Sequence, residues 1–244
     1  MATDGPASRM TYGGYLQLEA LLALQDGPAG YSPPPSNDEL HFIIVHQTFE
    51  LWFKQVIKEL EGVRDELGAS SVPEEAIPSC VHGMRRVTEI FQLMAHQWGV
   101  LETLTPQGFL AFRDGLGTAS GFESYQMREL EIVLGLTPEM RGSNFDPLNQ
   151  FRKIAEKDPT QKHALDRLIR ANEKPSLHEV VRAWVHRTPI MGSNPGDEGD
   201  MEVVSKYVND HLDAFERHSK DQEAAMMLSG GMPPEAIKAR FEGA

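Results

Sequence analysis

The sequence is poor in cysteine and has no long apolar run. Its single cysteine, Cys80, cannot form an intramolecular disulfide, a pattern typical of a reducing compartment, so we expect a cytoplasmic protein. No apolar run approaches the roughly 18 residues that a membrane-spanning helix needs. The first residues, MATDGPASRM, are polar and do not resemble a signal peptide. We therefore expect no membrane partner.

Basic residues are also scarce. There are 23 Lys and Arg residues against 36 Asp and Glu residues, which gives a formal net charge of −13. Nucleic-acid-binding proteins normally carry a basic face, so this balance argues against a nucleic-acid partner. It does not exclude an anionic small molecule, because one arginine in a dry pocket outweighs a distant surface field. With 244 residues and 40% hydrophobic content, we expect one globular domain over residues 1–244, with residues 1–11 as a disordered lead-in.

Apolar residues recur at helical spacing, and no strand-like alternation of any length occurs, which predicts an all-α fold. The clearest helix covers residues 36–67. Ser36 and Glu39 have the spacing of a capping box at its start, and Gly68 follows its end. The N-terminal half of this helix is apolar nearly all round, which predicts a core helix rather than a surface one.

A histidine, His46, lies inside this apolar helix. Phe42 precedes it by one turn and Glu50 follows it by one turn, so the three side chains share one side of the helix. A buried imidazole without a partner costs about 1–3 kcal/mol, so His46 needs a hydrogen bond. One interpretation is a structural histidine bonded to another element. The other is a histidine that faces a ligand pocket, and spacing does not separate the two.

A second chemical stretch covers residues 104–121, LTPQGFLAFRDGLGTASG. Thr105 and Pro106 predict a helix start, and Phe109 and Arg113 lie one turn apart on that helix. Arg113 has two interpretations. It is either a surface residue paired with Asp114 or Glu123, or a guanidinium that binds a carboxylate bidentately, a geometry that lysine lacks.

Two further helices are predicted on either side of the first. Residues 12–25 form an amphipathic helix suited to packing or oligomerisation, and residues 80–101 form a core helix.

Residues 38–61, DELHFIIVHQTFELWFKQVIKELE, closely resemble the first core helix of the tryptophan 2,3-dioxygenases, haem-dependent enzymes that open the indole ring. The resemblance begins at residues 12–25 (YGGYLQLEALLALQ), returns at residues 97–131 and continues more weakly through residues 175–189. Long blocks in the family's order make the resemblance specific. It implies an all-α helical bundle of the tryptophan 2,3-dioxygenase type.

The resemblance also implies a reaction and its partners. Haem b would be the cofactor and O2 the co-substrate, and oxygen would be inserted into the indole C2–C3 bond of L-tryptophan to give N-formylkynurenine, a step of tryptophan catabolism in the kynurenine pathway. The assembly would be a homo-oligomer, in the family a tetramer.

Site residues follow from the resemblance position by position. His46 would be the catalytic residue that hydrogen-bonds the indole N–H, Phe42 would pack on the indole face, and Arg113 would bind the α-carboxylate. Ser120 and Gly121 match a loop that lies over the haem edge. The other candidate substrate-binding residues are Ile43, Ile44, Val45, Phe109, Tyr12 and Tyr15, the two tyrosines being supplied by a neighbouring subunit.

The chain departs from the family in two places. Family members commonly carry tyrosine where this chain has Phe109, which removes a hydroxyl from the pocket. The family's haem-ligating histidine on a late core helix, and the loop after it, have no counterpart here, so the metal ligand stays unassigned. We expect a fragment that lacks the C-terminal third. The alternative is a natural short relative with altered or absent haem chemistry.

Two other functions therefore stay open. The first is a related monooxygenase that forms an oxindole-type product from a substituted tryptophan in a biosynthetic pathway. The absence of the hydroxyl at Phe109 favours such a specialised substrate. The second is a haem-free helical scaffold that forms oligomers.

Overall fold

The computed structural model describes residues 10–25, 34–117, 119–137, 139–141, 146–229, 233 and 235. Most of the predicted lead-in, most of the glycine- and proline-rich loop at residues 26–35, Thr118 of the loop at 117–121, and most of the C-terminal residues 233–244 lie outside these ranges.

The described residues form an all-α fold, as predicted. The only β feature among them is an isolated bridge between Ile190 and Ser193. The helices are α1 (Tyr12–Leu16), α2 (Leu18–Leu22), α3 (Asn37–Leu67), α4 (Ile77–Leu101), α5 (Pro106–Arg113), α6 (Tyr125–Leu134), α7 (Pro147–Lys157), α8 (Lys162–Asn172), α9 (Leu177–Arg187) and α10 (Asp200–Ser229).

Contacts between Cα atoms divide the chain into two compact units, Met1–Val181 and Arg182–Ala244. In the first unit α3 is the central element, and α4, α5 and α6 pack against it. Helix α8 packs on α6 and α7, which gives the unit a second layer. In the second unit α10 has no buried side chain among its described residues. The prediction of one domain over residues 1–244 stays a prediction.

The start of α3 is fixed by the residues that the sequence indicated. The Ser36 hydroxyl accepts a hydrogen bond from the Glu39 backbone N–H at 3.2 Å, which satisfies one of the free donors of the first turn. Helix α5 begins in the same way, with the Thr105 hydroxyl accepting from the Gly108 N–H at 3.0 Å and Pro106 at the first helical position. Both helices therefore start where the sequence predicted.

Burial along α3 differs from the prediction. The fully buried residues lie in its C-terminal half, where Val56 and Leu60 are 0% exposed. In the N-terminal half Phe42 and His46 are only half-buried and Ile44 is 44% exposed. This half is therefore core only in part: Val45 and Phe49 are buried, whereas Phe42 and His46 border a cavity.

The predicted helix over residues 12–25 is broken. Gln17 has φ 54° and ψ 39°, in the left-handed region, and separates α1 from α2. Neither short helix buries a residue. The segment is nevertheless held to α3, because the Gln25 amide donates to the Gln47 side chain at 2.6 Å and Gln47 donates to the Leu24 carbonyl at 3.1 Å.

Candidate active site

A cavity of about 870 Å³ lies beside the N-terminal half of α3 in the first unit. Its size is within the range of small-molecule sites, which are commonly about 300–1,000 Å³. Residues of α3, the loop after α5, the start of α6, α7 and the turn between α7 and α8 line it. The lining residues are Phe42, His46, Glu50, Leu116, Ala119, Ser120, Gly121, Glu123, Ser124, Tyr125, Phe151, Ile154, Lys157, Asp158 and Gln161.

The tautomer of His46 follows from its hydrogen bond. Its Nδ1 lies 2.8 Å from the Phe42 carbonyl oxygen, which can only accept, so Nδ1 carries the proton. In the neutral ring Nε2 is then a hydrogen-bond acceptor. His96 on α4 makes the same bond to its own helix, to Gln92 O at 2.9 Å, so the bond itself is a local feature of helices. What distinguishes His46 is that its ring lines the cavity.

An aromatic cluster forms the wall next to His46. The Phe42 ring lies 4.0 Å from the His46 ring, 5.4 Å from Phe112 and 5.9 Å from Phe109, centroid to centroid. Phe112 is buried, so it fixes α5 against α3. Phe109 contacts Phe42 and is not among the lining residues.

Arg113 supports the loop that forms the cavity edge. Its Nη1 donates to the Gly117 carbonyl at 2.9 Å, and the described residues contain no ion pair between it and Asp114 or Glu123. The bond uses one of the five guanidinium N–H groups. Arg113 is half-buried and close in sequence to the lining residue Leu116, but it does not itself line the cavity.

Ser120 and Gly121 both line the cavity, at the turn that precedes α6. The Ser120 hydroxyl accepts from the Phe122 N–H at 3.3 Å, and the Glu123 carboxylate accepts from the Ser120 N–H at 3.4 Å. This capping box holds the turn in a fixed conformation beside the cavity. Gly117, at the start of the loop, has φ +56°, which favours glycine.

Helix α6 fixes a carboxylate in the cavity. Gln126, which is buried, donates from Nε2 to the Glu50 carbonyl at 2.9 Å and to Glu50 Oε2 at 2.8 Å. Glu50 lines the cavity one turn after His46. Phe42, His46 and Glu50 therefore lie on one side of α3, as their spacing predicted.

An ion pair between Glu129 and Arg167 lies next to the lining residue Tyr125. The Arg167 Nε lies 2.6 Å from Glu129 Oε2, and Glu129 is 5% exposed while the Arg167 side chain is 32% exposed. Burial raises the pKa of the Glu129 carboxyl, and the adjacent Arg167 opposes that rise. The Arg167 guanidinium carbon also lies 5.3 Å from the centroid of the Tyr125 ring, which holds this lining residue from behind.

Several predicted site residues lie away from the cavity. Tyr12 and Tyr15 are 77% and 73% exposed on α1. Ile43, Ile44 and Val45 are not among the lining residues. Val45 is buried, and its carbonyl accepts from the Gln97 amide at 3.0 Å, so it joins α3 to α4.

The cavity fits a haem site only in part. Among the described residues, no group of three or more His, Cys, Asp or Glu side chains is placed to hold a metal ion. Haem needs an axial ligand rather than such a cluster, and His46 is the one imidazole among the residues that line the cavity. If His46 serves the substrate, the described residues leave the axial ligand unassigned and do not complete a haem site.

Sequence reasoning missed the far side of the cavity. The residues there come from two helices and a turn that the sequence does not link to α3: Tyr125, Phe151, Ile154, Lys157 and Gln161. The available signals, a helix cap at Ser124 and another at Asp146, locate helix starts but not their neighbours in space.

Fold and cavity together define the class: an all-α protein whose cavity has the size of a small-molecule site and is lined by one imidazole. Among the described residues no helix combines the length and apolar character needed to cross a membrane.

Comparison with known proteins gives the family. A family model described as tryptophan 2,3-dioxygenase matches residues 2–231. The chain belongs to the tryptophan 2,3-dioxygenase family.

Individual relatives agree with this assignment. The chain is 40% identical over 186 residues to the tryptophan 2,3-dioxygenase of Alteromonas mediterranea, covering 76% of this chain and 49% of that protein. It is 35% identical over 244 residues to that of Sorangium cellulosum, covering 96% of this chain and 56% of that protein. It is also 35% identical to tryptophan 2,3-dioxygenase 2 of Ralstonia nicotianae, covering 96% and 63%. The chain spans about half the length of the curated relatives it matches.

Proposed function

We propose that the cavity beside α3 binds L-tryptophan, and that the haem-loaded protein inserts O2 into the indole C2–C3 bond to give N-formylkynurenine. The observation that carries this proposal is the His46 ring, which lines the cavity beside Phe42 with Nε2 as an acceptor. The relatives named above are tryptophan 2,3-dioxygenases, which supports tryptophan as the substrate.

Three side chains define the orientation of the substrate. His46 Nε2 accepts the indole N–H, and Phe42, 4.0 Å from His46 between ring centroids, packs on the indole face. Arg113 binds the α-carboxylate with the N–H groups that the Gly117 bond leaves available. Fixing both ends of the amino acid sets the position of the reacting carbons. Phe109 supports this wall through its contact with Phe42.

Haem b is the proposed cofactor, and when bound it supplies the O2 chemistry. Ser120 and Gly121, at the cavity edge, are the proposed contacts of its rim. Both oxygen atoms of O2 enter the product, so the reaction consumes no external reductant.

The proposed assembly is a homotetramer in the cytoplasm. Tyr12 and Tyr15 are exposed on a segment tied to α3 through Gln47, next to His46. We place these two tyrosines at the substrate pocket of a neighbouring subunit, where burial of their rings is favourable. The single cysteine supports a reducing compartment.

Incubation of the haem-loaded, full-length protein with L-tryptophan and isotopically labelled O2 tests the reaction. The expected product carries two labelled oxygen atoms and has the mass of N-formylkynurenine. A product with one labelled atom would favour the oxindole-forming monooxygenase, which the absence of a hydroxyl at Phe109 makes the second candidate. Failure of the full-length protein to take up haem, seen as no haem absorption band, would favour the scaffold.

A further inference from the structure

Glu50 is a cavity group to which the proposed function gives no task. It lies one turn after His46 on α3, is half-buried and lines the cavity. Its Oε2 accepts from Gln126 at 2.8 Å, and Oε1 accepts from none of the described residues. A carboxylate oxygen accepts hydrogen bonds, so Oε1 is available to a donor from solvent or from a molecule in the cavity.

The two acceptors, His46 Nε2 and Glu50 Oε1, are arranged in order along α3. Four residues of α-helix advance about 6 Å, so Phe42, His46 and Glu50 follow one another at about that interval. Rings on α5 contact Phe42, and Arg113 follows Phe112 directly on that helix. Helix α6 contacts the other end, through the bonds from Gln126 to Glu50.

The order of Phe42, His46 and Glu50 along α3 determines which part of a bound tryptophan lies near Glu50. With the carboxylate at the Arg113 end and the indole N–H on His46, the part of the molecule that continues towards Glu50 is the benzo-ring edge next to the N–H, carbons 6 and 7. Unsubstituted tryptophan carries only C–H groups there. A hydroxyl on that edge would donate to Glu50.

We infer that Glu50 is a specificity-determining residue that favours tryptophans hydroxylated on the ring edge next to the indole N–H. The inference rests on the proposed tryptophan site. A charged acceptor forms a stronger hydrogen bond than a neutral one, and the cavity wall shields it from part of the solvent. The alternative is that Glu50 only joins α3 to α6 through Gln126.

The experiment compares hydroxyl with fluorine, which is similar in size and cannot donate. Dissociation constants of 6- and 7-hydroxytryptophan and of their fluoro counterparts are measured by calorimetry on the haem-loaded, full-length protein. Each hydroxy compound is expected to bind at least about tenfold more tightly than its fluoro counterpart. The 5-substituted pair, on the opposite ring edge, is expected to show no such preference.

Glu50→Gln removes the charge and keeps the link to Gln126. Gln126 Nε2 is a donor, so it bonds to the oxygen of the introduced amide. The amide NH2 group then takes the place of Oε1. The preference for hydroxyl should then vanish, while the affinity for L-tryptophan stays close to that of the parent. Glu123→Gln is the matched control: it removes another lining carboxylate, keeps an acceptor for Ser120, and should retain the parent preference.

The results distinguish a failure of the Glu50 inference from a failure of the proposed tryptophan site. If the parent binds L-tryptophan but shows no preference for hydroxyl, or if Glu50→Gln keeps that preference, Glu50 is only a structural link. If the parent binds no tryptophan at all, the proposed function fails and the inference fails with it.

Discussion

Arg113→Ala is expected to weaken L-tryptophan binding roughly 100-fold, because a charge-assisted bond that is partly removed from water contributes about 1.5–3 kcal/mol. Arg113→Lys should recover only part of this loss, since lysine restores the charge without the planar fork. Calorimetric titration of the haem-loaded protein with L-tryptophan measures both effects.

The bond from Arg113 to Gly117 requires a control for loop support. Tryptamine has the indole ring of tryptophan but no carboxylate, so its affinity should be nearly the same for the parent and for Arg113→Ala. If the variant loses tryptamine binding as strongly as tryptophan binding, Arg113 acts by holding the loop at residues 114–121. Its assignment to the carboxylate would then be wrong.

Leu168→Ala is expected to lower the free energy of unfolding by about 3 kcal/mol, since deletion of a buried leucine side chain leaves a cavity that the structure only partly fills. Leu168 is 0% exposed on α8 and packs with Phe151, which is 2% exposed and lines the cavity, and with Ala164. This cluster supports Phe151, which lines the α7 side of the cavity. Denaturant unfolding followed by circular dichroism gives the loss.

Lys162→Ala provides the comparison on the same helix. Lys162 forms an exposed ion pair with Asp166 at 2.7 Å, and such pairs contribute only about 0.3–0.5 kcal/mol. The two variants should therefore differ by more than about 2 kcal/mol. Similar losses from both would mean that α8 is not packed into the core in the way described.

Helix starts were predictable because their signals are local. Ser36 and Thr105 each accept a hydrogen bond from the backbone N–H three residues later, which the sequence indicates without any tertiary information. The alignment of Phe42, His46 and Glu50 on one side of α3 was predictable for the same reason, since helical periodicity alone determines it.

Burial and neighbours were not predictable in that way. An apolar face does not specify what covers it, so the sequence could not show that Phe42 and His46 border a cavity while Val45 and Phe49 on the same half of α3 are buried. The break at Gln17 was missed because glutamine is an ordinary helix residue and nothing local marks its left-handed backbone. Contacts between residues far apart in sequence, such as Gln126 with Glu50, depend on the tertiary fold.

The central claim is that His46 Nε2 accepts the indole N–H of a bound tryptophan. Comparing L-tryptophan with 1-methyl-L-tryptophan, in which that N–H is replaced, tests it on the parent and on His46→Ala. The parent should bind the methylated compound about tenfold more weakly, and the variant should bind both compounds with similar affinity. Equal discrimination by the parent and by His46→Ala would contradict the claim, because the lost N–H would then have no partner at His46.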